Sequence, residues 1–531
     1  MFLVAALPSL FVDYLLLLAL TGIANRNEPS IWLNSTSQAP GMGQTISVMW
    51  SYPKADTVWV PWVEGKLNRS FTILTGGDII CTLVRAHQDQ VNGMVMYQPE
   101  TDASSFVALT ASGLLDALPV QQSQLDRLAC LQALPVITTI PEPPPANATA
   151  TRDEQLYHWA LQTYPNVSQA VVVGVCRSWS NYSCGWSDPL AAASIDYGVA
   201  KRAFIHNLSP DQQPEVFAAV IARLKPSGIF TGWAEPEDIM VSQLSKVQSV
   251  VLCGTANMAF LASMPILATQ LPSHRSQSTL NRSSYYLAFQ TNEGDTVKNA
   301  YSLRAGNWAH PRRGEVSMSW GVSPLVAVYF PALWQYYVET ALPTDQFFAA
   351  AAGAGYTYPQ HWADPDAYFR QAGALFRKYM PATGNWVDVW ASGLNLTFYQ
   401  QYQAGVRSVN GSVEGFSQQP FNNTPINTAL ANGTPLMLCA LDLWYPYAHG
   451  CVSTTTAAWY DCVQARIEAV MATAQPPFFI LIYGQDFKVD GETTATMVDT
   501  ALEMKSRLAQ RAVVVGTQDV AGLNSQLHRE M

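Results

Sequence analysis

Charge is what this chain has least of. Lys, Arg, Asp and Glu together make up only 13% of its 531 residues, about half the usual share. The 29 basic residues are outnumbered by 39 acidic ones, giving a formal charge of −10. No run of Lys or Arg forms a basic block. Phosphate backbones require a basic surface, so the composition argues against nucleic acid as a partner. The eight histidines are scattered, with no H-x-x-x-H pair, and no cysteine pair has zinc-ligand spacing, so no metal site is expected. The chain also lacks a G-x-S-x-G elbow and a G-x-x-x-x-G-K-[ST] loop, which removes the hydrolase nucleophile turn and the phosphate-cradling loop. Gly353-Ala354-Gly355 opens like a dinucleotide fingerprint, but Tyr358 stands where the third glycine belongs. No cofactor is therefore expected, and no internal repeat of fixed period is present.

What the chain does have is apolar residues, at 49%. At roughly 100–200 residues per domain, its length implies about two to four domains. Residues 1–24 read as a signal peptide: Phe2 to Ile23 is almost wholly apolar, with a Leu-rich centre at Leu15–Leu20, and Gly22 and Ala24 precede the polar run Asn25-Arg26-Asn27. A basic start is missing and Asp13 interrupts the apolar run, so an uncleaved anchor is the alternative. A second apolar run, Val316 to Val338, is long enough to span a bilayer. Its prolines and serines predict a short strand, a turn and a buried helix instead. No membrane contact is expected beyond the N-terminal segment.

N-x-Ser/Thr acceptors stand at Asn34, Asn68, Asn147, Asn166, Asn181, Asn207, Asn281, Asn395, Asn410, Asn422 and Asn432. Eleven of them behind a signal-like start point to a secreted, extracellular glycoprotein. The even count of eight cysteines fits an oxidising compartment. Cys176/Cys184 and Cys451/Cys462 would each close a short loop, and Cys81/Cys130 is a further candidate pair. Cys253 and Cys439 lie in apolar runs where buried free thiols are the alternative.

Residues 28–140 read as an N-terminal domain with short aromatic strands such as Ser47–Tyr52 and Thr57–Trp62. A Pro-rich linker, 141–151, follows. After it, apolar β-branched runs alternate with helical patterns. The runs are Ala170–Cys176, Ala203–His206, Ile229–Gly232, Ser249–Cys253, Tyr285–Gln290, Leu436–Ala440, Phe478–Tyr483 and Ala512–Gly516. The helical patterns include Pro214–Leu224, Pro365–Tyr379 and Ala457–Thr473. Near-continuous apolar strands separated by helices predict α/β architecture with parallel sheet, either a barrel or a doubly wound sheet. A middle α/β domain over 152–280 and a C-terminal domain over 283–531 follow from this texture.

In such folds functional groups collect just beyond the C-terminal ends of strands. Asn292-Glu293-Gly294-Asp295 follows the strand Tyr285–Gln290. Asp442, Trp444 and Tyr445 follow Leu436–Ala440, and Asp486 follows Phe478–Tyr483. Trp233, Glu235, Glu237 and Asp238 follow Ile229–Gly232. Paired carboxyl groups and aromatic rings are what glycosidic cleavage uses, one acid with one base or nucleophile. Each acid could instead cap the next helix.

Gly353-Ala354-Gly355-Tyr356-Thr357-Tyr358-Pro359 spells G-A-G-Y-T-Y-P. This segment resembles the signature of the GxGYxYP family, classed with the glycoside hydrolases. Ser319-Trp320-Gly321-Val322-Ser323-Pro324, the helix start Pro331–Tyr337, Asp345, the strand Pro477–Gly484 and the segment Val513–Leu523 are also similar to that family. So are Gly232-Trp233, Glu235 and Asn257 upstream. The resemblance covers roughly residues 153–525. The family's acidic D-G-D-N loop corresponds here to Glu293, Gly294, Asp295 and Thr296, with Asp295 unchanged. The resemblance implies a C-terminal (β/α) barrel-like domain, TIM-barrel-like, behind smaller α/β N-terminal domains, and a carbohydrate substrate or ligand. From their strand-end positions the candidate catalytic carboxylates are Asp295 with Glu293 or Asp442. The expected substrate-binding groups are Asn292, Trp320, Tyr356, Tyr358, Trp444 and Glu235. A non-catalytic extracellular glycan-binding protein with the same fold is the rival reading.

Overall fold

In the computed structural model the described residues are 1–4, 11–33, 55–75, 78–98, 102–142, 150–175, 194–274, 278–291, 297, 300–301, 307–380, 385–389, 395–418, 427–443, 451, 455–484, 487–488 and 494–529. They fall into two units, divided between Ile266 and Leu267.

The first unit holds three parallel sheets. In the first, β1 (Phe2–Val4) lies between β2 (Ile31–Leu33) and β3 (Thr72–Leu74). The apolar N-terminal segment supplies both this central strand and the helix Phe11–Ala24. In the second sheet β4 (Gly93–Met96) lies between β5 (Ala117–Val120) and β6 (Val136–Thr139). The third comprises β7 (Val171–Gly174), β8 (Phe204–His206), β9 (Ile229–Gly232) and β10 (Val250–Leu252), in the order β10-β9-β7-β8. These four strands fall on the apolar runs read from the sequence. Thr57–Trp62 does not form the expected strand. It lies in the helix Ala55–Leu67, where Trp59 and Val63, four residues apart, are fully buried on one face. Ser47–Tyr52 lies outside the described residues. Cys81 and Cys130 form a disulfide, and Cys253 is a buried free thiol. Cys176 and Cys184 lie outside the described residues.

The second unit is built on one curled, largely parallel sheet, a half-barrel. Its strands are β11 (Tyr285–Thr291), β12 (Met318–Val322), β13 (Asp345–Ala349), β14 (Trp386–Val389), β15 (Gly415–Gln418), β16 (Asn427–Ala429), β17 (Pro435–Leu438), β18 (Leu441–Asp442) and β19 (Phe478–Gly484). The order is β16-β17-β15-β14-β13-β12-β11-β19-β18, and only the β16 pairing within it is antiparallel. A small antiparallel pair, β20 (Phe487–Lys488) and β21 (Thr494–Ala495), stands apart, and β22 (Ala512–Val515) pairs with the first half of β11. Residues 435–443 join the two ends of the curl: β17 pairs with β15, then the Ala440 and Leu443 amides donate to Leu481 and Tyr483 of β19.

Helices pack between these strands, and their starts carry the expected signals. Pro365–Tyr379 begins with Asp364 as N-cap, accepting from the Ala367 amide, and Pro365 in its first turn. The apolar run Val316–Val338 is β12 followed by the helices Leu325–Tyr329 and Pro331–Thr340. Among the described residues no helix is long and apolar enough to cross a membrane. Cys451 and Cys462 form a disulfide, and Cys439 is a buried free thiol.

Candidate functional site

Side chains alternate across each strand, so every second residue of the curled sheet faces inward. Along β11 and β19 the inward set begins with Tyr286, Ala288, Phe479 and Leu481, which share one apolar cluster with Phe348, Trp386 and Met437. Trp386 lies so close to Gly415 that a Cβ there would sit 2.1 Å from its ring. At the C-terminal ends the chemistry changes. The next inward residues are Gln290 on β11, Asp388 on β14, Ser417 on β15 and Tyr483 on β19, all fully buried.

These four side chains bond to one another across the sheet. Ser417 Oγ donates to Asp388 Oδ1 at 2.7 Å, and Gln290 Nε2 donates to Ser417 Oγ at 3.1 Å. The Tyr483 hydroxyl donates to the same Asp388 oxygen. Gln290 Oε1 has no hydrogen-bond partner although it is buried. An unmatched buried acceptor costs about 1–3 kcal/mol and is uncommon in a settled core. Asp442 is buried beside this layer, on β18, in register with Tyr483. The Cys439 thiol, pushed well above its ordinary pKa chiefly by burial, is pushed further by the carboxylates of Asp442 and Asp388.

The G-A-G-Y-T-Y-P segment leaves the end of β13. Gly353 and Gly355 have φ of +101° and +96°, a region that side-chain-bearing residues rarely occupy. A Cβ on Gly353 would stand 2.1 Å from the Tyr402 hydroxyl. Two buried tyrosines clamp the turn: Tyr402 donates to the Ala352 carbonyl at 2.7 Å, and the Tyr368 hydroxyl accepts from the Ala354 amide at 2.9 Å. The Ala352 amide in turn donates to the Asp388 carbonyl at 2.7 Å, tying the loop to the strand that carries the buried acid. Tyr356 is buried. Tyr358 is partly exposed and packs edge-on against Tyr356 and His361.

The residues expected from the sequence are placed unevenly. Asp442 joins the strand-end layer. Asn292, Glu293, Asp295 and Trp444 lie outside the described residues, although the strand-end residues that precede them, Thr291 and Leu443, are described. Trp320 is fully buried, its indole N–H donating to Asp345 at 2.8 Å and its ring edge-on to Trp308. Glu235 belongs to the first unit, where its carboxylate accepts from Trp233 Nε1 at 2.8 Å and from the Glu237 amide at 2.9 Å. The sequence reading missed Gln290, Asp388, Ser417 and Tyr483. A signal existed for Asp388: it is a lone acid inside the apolar run Trp386-Val387-Asp388-Val389.

Comparison with known proteins agrees with the fold. Residues 283–516 match the family model of the GxGYxYP putative glycoside hydrolase C-terminal domain. Among solved structures the chain is similar to one described as a putative hydrolase from Bacteroides thetaiotaomicron VPI-5482, with a TM-score of 0.75 and 15% identity over 99% of this chain and 94% of that one. At that identity the likeness speaks for the fold. No curated protein matches the chain. The curled sheet, its strand-end layer and the clamped G-A-G-Y-T-Y-P turn thus lie in the stretch, residues 283–516, that matches the GxGYxYP C-terminal domain.

Proposed function

We propose that the second unit is a carbohydrate-active hydrolase whose site is the C-terminal end of the curled sheet. The observation that carries this reading is the layer Gln290, Asp388, Ser417 and Tyr483, with Asp442 beside it, set on an otherwise apolar interior. Glycosidic cleavage uses two carboxyl groups, and an oxocarbenium-like transition state gains from a nearby fixed anion. Asp295 is the leading candidate for a reacting carboxyl, with Glu293 or Asp442 as partner. Tyr358, Trp444 and Asn292 are candidate sugar contacts. Asp388 forms the floor and holds the Tyr483 hydroxyl in place. Two disulfides fit an extracellular protein. Asn68, Asn166, Asn281, Asn395, Asn410 and Asn432 are exposed acceptor residues for glycans, whereas Asn207 is buried with its amide oxygen accepting from the Tyr157 hydroxyl at 2.6 Å.

The test is reducing-end release from a panel of plant, algal, fungal and bacterial polysaccharides. Release lost in both Asp295→Asn and Asp442→Asn supports a carboxylate pair. Release retained in Asp295→Asn removes that residue from the reaction. No release, with retention of the protein on an immobilised glycan, would establish the binding-protein reading instead.

A further inference from the structure

A helix apolar on every face is either a membrane span or the centre of a large core, and periodicity alone does not separate the two. Phe11–Ala24 is such a helix, and its polar residues separate them. Asp13, which interrupts the apolar run, is buried and takes two hydrogen bonds from Arg127, at 2.6 and 2.7 Å, and a third from Gln124 at 3.0 Å. Thr21 is bonded back to the Leu17 carbonyl at 2.8 Å. Leu15 to Leu20 are each at most 1% exposed. Gly22, half of the small-residue pair that resembles a cleavage site, is a packing contact. A Cβ there would lie 2.4 Å from the Asp196 carbonyl oxygen and 2.8 Å from Val199 Cβ. Just after it, Asn25 bonds the amides of Ser30 and Ile31 at 2.7 and 2.8 Å. Arg26 pairs with Asp116 and donates to the carbonyls of Gly113, Val199 and Ala200.

The strand before the helix matters as much. Phe2–Val4 is the middle strand of its sheet, pairing with Ile31–Leu33 on one side and Thr72–Leu74 on the other. Cutting after Ala24 would take away the strand that holds the other two together, along with the helix beneath Ser194–Ala200. We infer that residues 1–24 are retained in the folded protein as the opening strand–helix unit of the first domain, and that Gly22–Ala24 is not a processing site in the native chain. The disulfide Cys81–Cys130 adds a condition. Cys81 lies on the helix Ile79–Ala86, and Cys130 follows Gln124 and Arg127, the partners of Asp13. On this inference the compartment in which the bond forms also holds the N-terminal helix.

Neither the retained helix nor its test depends on the chemistry of the second unit. Full-length protein with a C-terminal tag would be produced in a eukaryotic secretory host, recovered from both medium and cells, and mapped with trypsin without reduction. The expected result is the peptide Met1–Arg26, together with the Cys81–Cys130 linked peptide, in whichever fraction holds folded protein. Folded, disulfide-bonded protein whose first residue is Asn25 or later would overturn the inference. Recovery only from cells would count against the extracellular reading while the map still decides retention. A chain lacking residues 1–24 is expected to be digested at least 10-fold faster in the first unit under limited proteolysis. Equal resistance would also overturn it.

Discussion

Both units bury aspartates, but they do so in different company. In the first unit Asp196 accepts the amides of Tyr197 and Ala259, at 2.7 and 3.0 Å, and Asp13 is held by Arg127 and Gln124. Those partners are backbone amides for Asp196, and a cation with one side-chain amide for Asp13, and the acids tie helices to their neighbours. In the second unit Asp388 takes hydrogen bonds from side chains on two other strands, Ser417 and Tyr483, at the C-terminal strand ends of a curled sheet. Beside them Gln290 keeps one polar atom unmatched. The difference teaches where to look for chemistry. An acid satisfied by backbone supports the fold, whereas acids gathered from several strands at one end, with an acceptor left unmatched beside them, mark a site.

The comparison can be strained first at Asp345, a buried acid of the second unit that looks structural. Arg313 pairs with it at 2.8 Å and lies over the Trp308 ring at 3.8 Å, while Trp320 donates to its other oxygen. Removing one partner of a buried pair strands the other charge, so Arg313→Ala is expected to cost about 3–5 kcal/mol in denaturant unfolding. Protein that remains folded should keep its turnover. A variant that lost turnover without losing stability would move Asp345 into the functional group.

The disulfides sharpen the contrast next. Cys81–Cys130 closes 49 residues and Cys451–Cys462 closes 11. Chain-entropy reasoning gives about 4 kcal/mol for the first and about 3 kcal/mol for the second. Paired Cys→Ser variants measured by chemical denaturation should show the first unit losing more. The reverse order would mean that the unfolded first unit stays compact without its crosslink.

A smaller effect concerns pH. His274 is raised above its ordinary pKa of 6.5, first by its hydrogen bond to Asp519. Its contribution to the second unit is therefore complete below pH 6.5 and is lost as pH rises through the raised value. The first unit balances two groups. Burial pushes Asp196 up from 3.8 to about 7, so the folded state holds a proton that the unfolded state releases. Burial pushes His206 down from 6.5 to about 3, so the unfolded state holds a proton that the folded state refuses. Between about pH 4 and 6.5 these two nearly cancel. Hydrogen exchange read by unit should find the first unit with only the residual loss below pH 6.5 that His87, lowered from 6.5 first by burial, leaves uncancelled, and the second weakening above pH 6.5. Asp196→Asn should expose the His206 slope, a loss of about 1.4 kcal/mol per unit as pH falls below 6.5.

Many strand positions beyond the Pro-rich linker were legible because parallel strands buried on both faces are continuous apolar runs, although β13, β14 and β15 were not read as strands. Ile229–Gly232 and Phe478–Tyr483 fall almost residue for residue on β9 and β19. The turn G-A-G-Y-T-Y-P was legible too, since its glycines carry positive φ. Asp388 left only the trace of a lone acid in a four-residue apolar run, and its partners, Ser417 and Tyr483, are far along the chain. The N-terminal helix is ambiguous from sequence for a related reason. Its apolar faces read alike for a membrane and for a core, and the partner that separates the two, Arg127, lies more than a hundred residues away.

The most direct test of the central claim is to compare two isosteric variants, Asp388→Asn and Asp196→Asn, on the polysaccharide from which the wild type releases reducing ends. The account expects Asp388→Asn to lose about 100-fold or more of its turnover, as removal of a preorganised charge at a reacting centre does, while Asp196→Asn stays within about 2-fold. Equal turnover in the two variants would contradict it, because the strand-end layer of the second unit would then be no more than core.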